Sequence, residues 1–263
     1  MPEKFSKENF LRLSAQVLNH QFERLYPIDT RSDPQRITLV FLNHDRNVST
    51  YQTIRYLVEH GRVADIYTLS RSMYESVVYM ALLVKQSIPD DLIRYQDYQF
   101  VEIDRTHQHL KRLGLERLDG LSDQDAILAR DRMEQYTGRW GKRSPSWTGH
   151  TLEVDAKLVD TDYPPTCNEN HFYEYLYCQV YRKGSASSHS SFSGLSKGVV
   201  REKLDLPGIS GQRMGVNEPH LVFSSFNALL VFLSSIRFMG TAMGKDDWEK
   251  YFQEKARYII AED

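Results

Sequence analysis

Apolar residues recur at near-helical spacing along almost all of the chain. Between Phe5 and Leu25 they fall at Phe10, Leu11, Leu13, Val17, Leu18 and Phe22, which predicts an amphipathic helix over about 5–26. Tyr26-Pro27 and the polar stretch up to Gln35, with Pro34, end it by fixing φ and removing a donor. A second helix is expected from Arg36 to His60, with Gly61 as its C-terminal cap. In the third, from Val63 to Gln86, only Arg71 and Glu75 are charged between Ile66 and Val84, so it belongs in the middle of a bundle. Pro89-Asp90-Asp91 opens a fourth helix that Gly114 ends.

The second half of the chain is less regular. Ser122 caps a charged helix to about Tyr136, which reads as a solvated flank. Thr137 to Thr166 reads as an irregular loop pinned by Trp140 and Trp147, with one short helix over Thr151 to Val159. Asn168 or Asn170 caps a helix that reaches Tyr181, where Gly184 and the neighbouring serines interrupt it. Pro207, Gly208, Gly211 and Gly215 mark a short hairpin between Val199 and Val216, or a cover over one end. Glu218 to Met243 forms a long apolar helix, and Asp246-Asp247-Trp248 opens a last one to about Ile260. Nothing suggests a βαβ unit. The expected fold is therefore all-α: residues 1–263 as one domain, a bundle of about seven or eight helices with a long irregular loop packed on it. The helices at 5–26 and 246–260 flank its core.

Composition changes this picture little. The run Leu221 to Ile236 is shorter than the ~20 residues that span a bilayer, and it carries five polar residues, so a core helix is expected and no membrane partner. A net charge of −2 removes bulk attraction to nucleic acid or anionic lipid and leaves room only for a local basic patch. Two cysteines, Cys167 and Cys178, build no disulfide framework, and Met1-Pro2-Glu3-Lys4-Phe5 lacks the apolar run of a signal peptide. The expected setting is the cytoplasm.

Two polar stretches stand out. Arg71 and Glu75 share a helical face and, if buried, should pair with each other or with other buried polar groups, either to fix register or to line a polar site. Tyr181-Arg182-Lys183-Gly184-Ser185-Ala186-Ser187-Ser188-His189 puts six residues between an arginine and a histidine. Three other Arg/His pairs have similar spacing (Arg55/His60, Arg143/His150 and Arg213/His220), so the serine-rich setting is what singles this one out. Asp104-x-x-His107 and His171-x-x-Glu174 place metal-ligand types on one face. A di-iron bundle needs Glu-x-x-His, which the chain lacks, so these read as solvated faces with no metal and no cofactor. No Gly-x-Ser-x-Gly elbow and no phosphate-cradling Gly-x-x-x-x-Gly-Lys loop occurs.

The segment from Leu57 to His189, with Arg71-Ser72-Met73-Tyr74-Glu75, the Trp147 loop and Tyr181-Arg182 before a serine-rich turn ending at His189, resembles an uncharacterised bacterial family of all-helical domains. No activity comes with that resemblance. The spacing of Arg182 and His189 also resembles the pattern of the HEPN ribonuclease superfamily, helical and usually dimeric proteins whose active members cut RNA without metal. That second resemblance implies His189 as general acid or base and Arg182 as the group stabilising phosphate charge, and Arg71, Glu75, Tyr181, Ser185 and Ser188 are the residues expected to bind substrate. It implies a toxin or phage-defence ribonuclease whose partners are RNA, a partner protein or antitoxin, and a second copy of the chain. The alternative is a non-catalytic helical module that binds a partner protein or small ligand through a polar cleft near Arg71, Glu75 and His189.

Overall fold

Nearly every side chain of one helix, from Leu221 to Gly240, is buried, and the larger part of the chain packs around it. The computed structural model describes residues 5–24, 33–115, 120–141, 146–163, 165–167, 169–189, 199–206 and 209–260, with backbone alone for 199–206 and 209–215. The described elements are α1 (Lys7–Arg24), α2 (Pro34–Glu59), α3 (Val63–Lys85), α4 (Asp91–Arg112), α5 (Asp123–Trp140) and α6 (Leu152–Asp162). Next comes a rod made of α7 (Phe172–Leu176), a π-helical stretch (Tyr177–Arg182) and α8 (Lys183–Ser188). Strands β1 (Val199–Leu206) and β2 (Ile209–Val216), then α9 (Glu218–Ala242) and α10 (Asp247–Ile260), complete the chain. The class is all-α, as the apolar spacing predicts. The hairpin is antiparallel, with Val199 opposite Val216 and Leu206 opposite Ile209.

These helices fall into two compact units, Met1–Lys85 with Ala156–Asp263, and Gln86–Asp155; the division lies inside α6. In the first, Phe232 of α9 stacks on Tyr51 of α2 at 4.2 Å, Phe226 meets Phe10 of α1 edge-on, and Phe238 lies against Tyr173 of the rod. The apolar stretch of α9 is 94 % buried, so it is the core helix expected from its serines. Those serines turn inward on the helix: Ser225 donates to Leu221 O and Ser234 to Leu230 O. Gly240 lets α10 close over α9, since a Cβ there would meet the Trp248 ring at 2.4 Å. Arg237, fully buried, forks onto Glu249 of α10 and lies over the Phe252 ring at 4.6 Å.

In the second unit α4 and α5 form a helical pair. Here α5 differs from the expected solvated flank. It runs on to Trp140 and buries Ala129, Met133 and Tyr136, an i, i+4, i+7 stripe outnumbered by the charges around it. The irregular loop is correspondingly shorter than Thr137 to Thr166, because α5 and α6 take both of its ends. Trp147 is buried as expected, edge-on to Tyr95 at 5.3 Å, and its carbonyl accepts from Tyr136 Oη.

The largest correction is at Gly184. No break occurs there: backbone angles at Tyr177, Arg182 and Lys183 are all right-handed helical, and the rod continues to Ser188. Glycine serves packing instead. A Cβ at Gly184 would lie 2.4 Å from Tyr67 O and 2.6 Å from Arg71 Cβ, so only glycine lets the rod come this close to α3. Gly184→Ala should therefore destabilise by about 1–3 kcal/mol in urea unfolding, the cost of overpacking. Gly138→Ala, in α5 with nothing within 4 Å of its Cβ position, should stabilise by about 0.5–1 kcal/mol.

Candidate functional site

The close approach at Gly184 sets one wall of the site. Arg71 on α3 lies over the Tyr181 ring at 4.8 Å, and its Nη2 donates to Tyr181 Oη at 3.4 Å. Tyr181 stacks on Tyr177, one turn back, at 5.4 Å and 16°. Tyr74 Oη, its pKa pushed up by burial, donates to Tyr173 O and ties α3 to the start of the rod. Of the two pairings expected, the first does not occur: Arg71 and Glu75 do not bond each other, and each takes another polar partner. Both are only half-buried, and Glu75 accepts from Tyr79 Oη at 3.3 Å, while Arg71 turns to the tyrosine face. The spacing put both on one helix but did not show that an aromatic ring from the rod would compete for the guanidinium. The Nε of Arg71 is buried without a hydrogen-bond partner among the described residues.

Arg182 and His189 both sit on the outer side of the rod, exposed. Seven residues at ~1.5 Å and ~100° each set them about two turns apart, roughly 10 Å along the axis and within about 20° of one face. Neither side chain bonds to another described residue. Lys183, between them, reaches back to Gln179 and lies over the Phe223 ring at 4.4 Å. Of the serines proposed to bind substrate, Ser185 gives its carbonyl to Ser188 Oγ and to the His189 amide, so the Ser188 hydroxyl caps its own helix. Lys197, Ser190, Ser191 and the side chain of Arg201 lie outside the described residues.

Two further polar clusters are joined by contacts that the sequence did not show, although His171-x-x-Glu174 of the first was read there as a solvated face. In the first unit, Asp160 near the end of α6 accepts from the Tyr173 and Glu174 amides at 2.8 and 2.9 Å, capping the rod from outside. Asn170 does not take that role, His171 occupies the N-cap position, and Asn168 lies outside the described residues. His171 Nδ1 is 2.6 Å from Glu174 Oε2, and with Asp160 these are the described side chains able to hold a metal, their ligand atoms within 4.8 Å of one another. Both Asp160 oxygens are engaged by amides and Lys157 Nζ lies 3.7 Å from Glu174, which is the arrangement of a helix cap with its own countercharge.

The second cluster holds the Trp147 loop of the other unit. Thr148 Oγ1 donates to Asp155 Oδ2 at 2.9 Å, His150 Nδ1 lies 3.3 Å from Asp155 Oδ1, and Ser146 bonds Thr148 and the His150 carbonyl. Asp155 is fully buried, and burial pushes its carboxyl above the ordinary carboxylate value against the pull of Thr148 and His150. Only the turn between them joins these side chains, so no periodicity signals them.

Fold and site together define a helical-bundle protein that presents an arginine and a histidine on the outer face of a rod, beside an arginine–tyrosine ledge. Residues 38–205 match the model described as a family of unknown function (DUF5677), so the chain belongs to that family, and the match contains the whole segment that carries the sequence resemblance. No curated protein and no solved structure matches the chain.

Glu75→Ala should cost no more than about 1 kcal/mol in thermal or urea unfolding, since it removes one partly exposed hydrogen bond rather than a buried ion-pair partner. A folded pKa raised above the unfolded value makes the Asp155 contribution complete below about pH 3.8 and lost as pH rises through the folded value. The stability of the native chain relative to Asp155→Asn should therefore fall as pH rises above about 3.8, read from urea unfolding at several pH values.

Proposed function

We propose that the protein is a cytoplasmic, metal-independent RNA endonuclease of the toxin or phage-defence kind, acting through Arg182 and His189. The observation that carries this reading is the pair itself: two exposed side chains, bonded to no other described residue, two turns apart on one face of a rod packed on α3. A phosphate against that face lies within reach of both. RNA brings its own nucleophile, so attack of the 2′-oxygen on phosphorus and departure of the 5′-oxygen require proton transfer at each end and relief of charge on the phosphate. Arg182 supplies the charge relief and His189 one proton transfer. The second transfer calls for another acid or base, and two chains paired across this face would supply two histidines.

A second reading has its own support. The Arg71 Nε–H, without a hydrogen-bond partner among the described residues, lies beside a stacked pair of tyrosines, a ledge suited to a non-catalytic module that captures a partner protein, an antitoxin or a small ligand.

Purified protein should cut RNA in the presence of chelator. His189→Ala and Arg182→Ala should each lower the rate by about 10²–10⁴ with unchanged helical spectra, and both should abolish growth toxicity. Intact RNA with the native chain overturns the nuclease. Loss of partner capture in Arg71→Ala, with Arg182→Ala unaffected, establishes the module.

A further inference from the structure

A second region of unengaged polar groups lies in the core, on elements that take no part in the Arg182–His189 face. Helices α1 and α2 run antiparallel: Lys7 Nζ donates to Glu59 O at 2.9 Å, the Phe10 and Tyr51 rings meet at 6.4 Å, and Ser14 lies beside the Tyr51 hydroxyl. The same register carries Gln21, two turns beyond Ser14, toward His44, two turns before Tyr51. Ser14, Gln21 and Tyr51 are 0 % exposed and His44 is 1 % exposed.

Asn47 Nδ2 donates to Ser235 Oγ at 3.0 Å, His44 Nδ1 lies 2.9 Å from the same oxygen, and the Ser235 hydroxyl reaches Met80 Sδ at 3.6 Å. Burial pushes the pKa of His44 down to about 4, so the ring is neutral near pH 7. His44 Nε2 and both polar atoms of Gln21 are buried without a hydrogen-bond partner among the described residues. Buried polar groups of folded proteins are almost always satisfied, so three such atoms on facing helices point to a bridging species.

We propose that Gln21 and His44 line a closed site between α1 and α2 that holds a small uncharged species, hydrogen-bonded to His44 Nε2 and to the Gln21 amide. Water is the smallest member of that class, and a small neutral amide or alcohol has the same chemistry. An ion is disfavoured because the two groups that line the site, a neutral imidazole and an amide, offer it no countercharge. Gln21 lies on α1, outside the residues matched by the family model, whereas His44 lies inside them.

A crystal structure of the full chain tests this directly. Ordered density within hydrogen-bonding distance of both Gln21 and His44 Nε2 is the expected result, and a direct Gln21–His44 bond with no density between them overturns the proposal. Mass spectrometry of solvent extracts from the denatured, purified protein separates the sources: a stoichiometric small molecule identifies an organic ligand, and its absence alongside ordered density identifies water. Gln21→Leu provides the second measurement. It should lower the melting temperature by removing one anchor of the bridge; a rise, as apolar filling of an unoccupied gap would give, also overturns the proposal.

Discussion

The candidate site depends on how closely the rod approaches α3 at Gly184. With no Cβ in the way, the rod rests on Tyr67 O and Arg71 Cβ, and this contact decides which side chains face inward. Tyr181 is carried over the Arg71 guanidinium, and Tyr177 stacks behind it. The π-helical stretch from Tyr177 to Arg182 then changes the phase of the rod just before the contact, as such stretches often do near functional positions. Arg182 and His189, on the opposite side of the same rod, are carried by its helical backbone and remain exposed.

The protein treats its buried charges in two ways. Arg237 is inside the core and is fully matched, forked onto Glu249, bonded to Tyr173 Oη and packed against aromatic rings. Removing one partner of such a group strands a charge, which makes it a structural anchor between α9 and α10. Arg71 is half-buried and only partly matched, with a tyrosine face in place of a carboxylate. An incompletely satisfied guanidinium at the edge of a core is less suited to anchoring and better suited to binding. That contrast makes Arg71 a better candidate for binding than the more heavily bonded Arg237.

The extent of the family match sharpens the point. It takes in α2 through β1, including Arg71, Tyr181, Arg182 and His189, and leaves out α1, α9 and α10. The central helix that the match omits supplies the floor of the core on which α2, α3 and the rod are assembled. The matched segment therefore carries the candidate chemistry, while the helices around it complete the core.

Local pattern by itself determined the helices, because the 3.6-residue repeat and the Gly and Pro punctuation are short-range properties: α2, α3, α4, α9 and α10 appear close to where the spacing puts them. It also determined that Leu221 to Ile236 belongs in a core, since serines that bond their own helix allow close packing. Tertiary structure alone decided the roles of the polar residues. Arg71 and Glu75 share a face in any helix, but only the arrival of Tyr181 from 110 positions away in the chain separates them. Gly184 looks like a helix break in the sequence, and is a contact point in the fold, because what surrounds a missing Cβ is set by another helix. Asp160, Asp155, Gln21 and His44 escaped notice for the same reason: each is defined by a neighbour that no local repeat encodes.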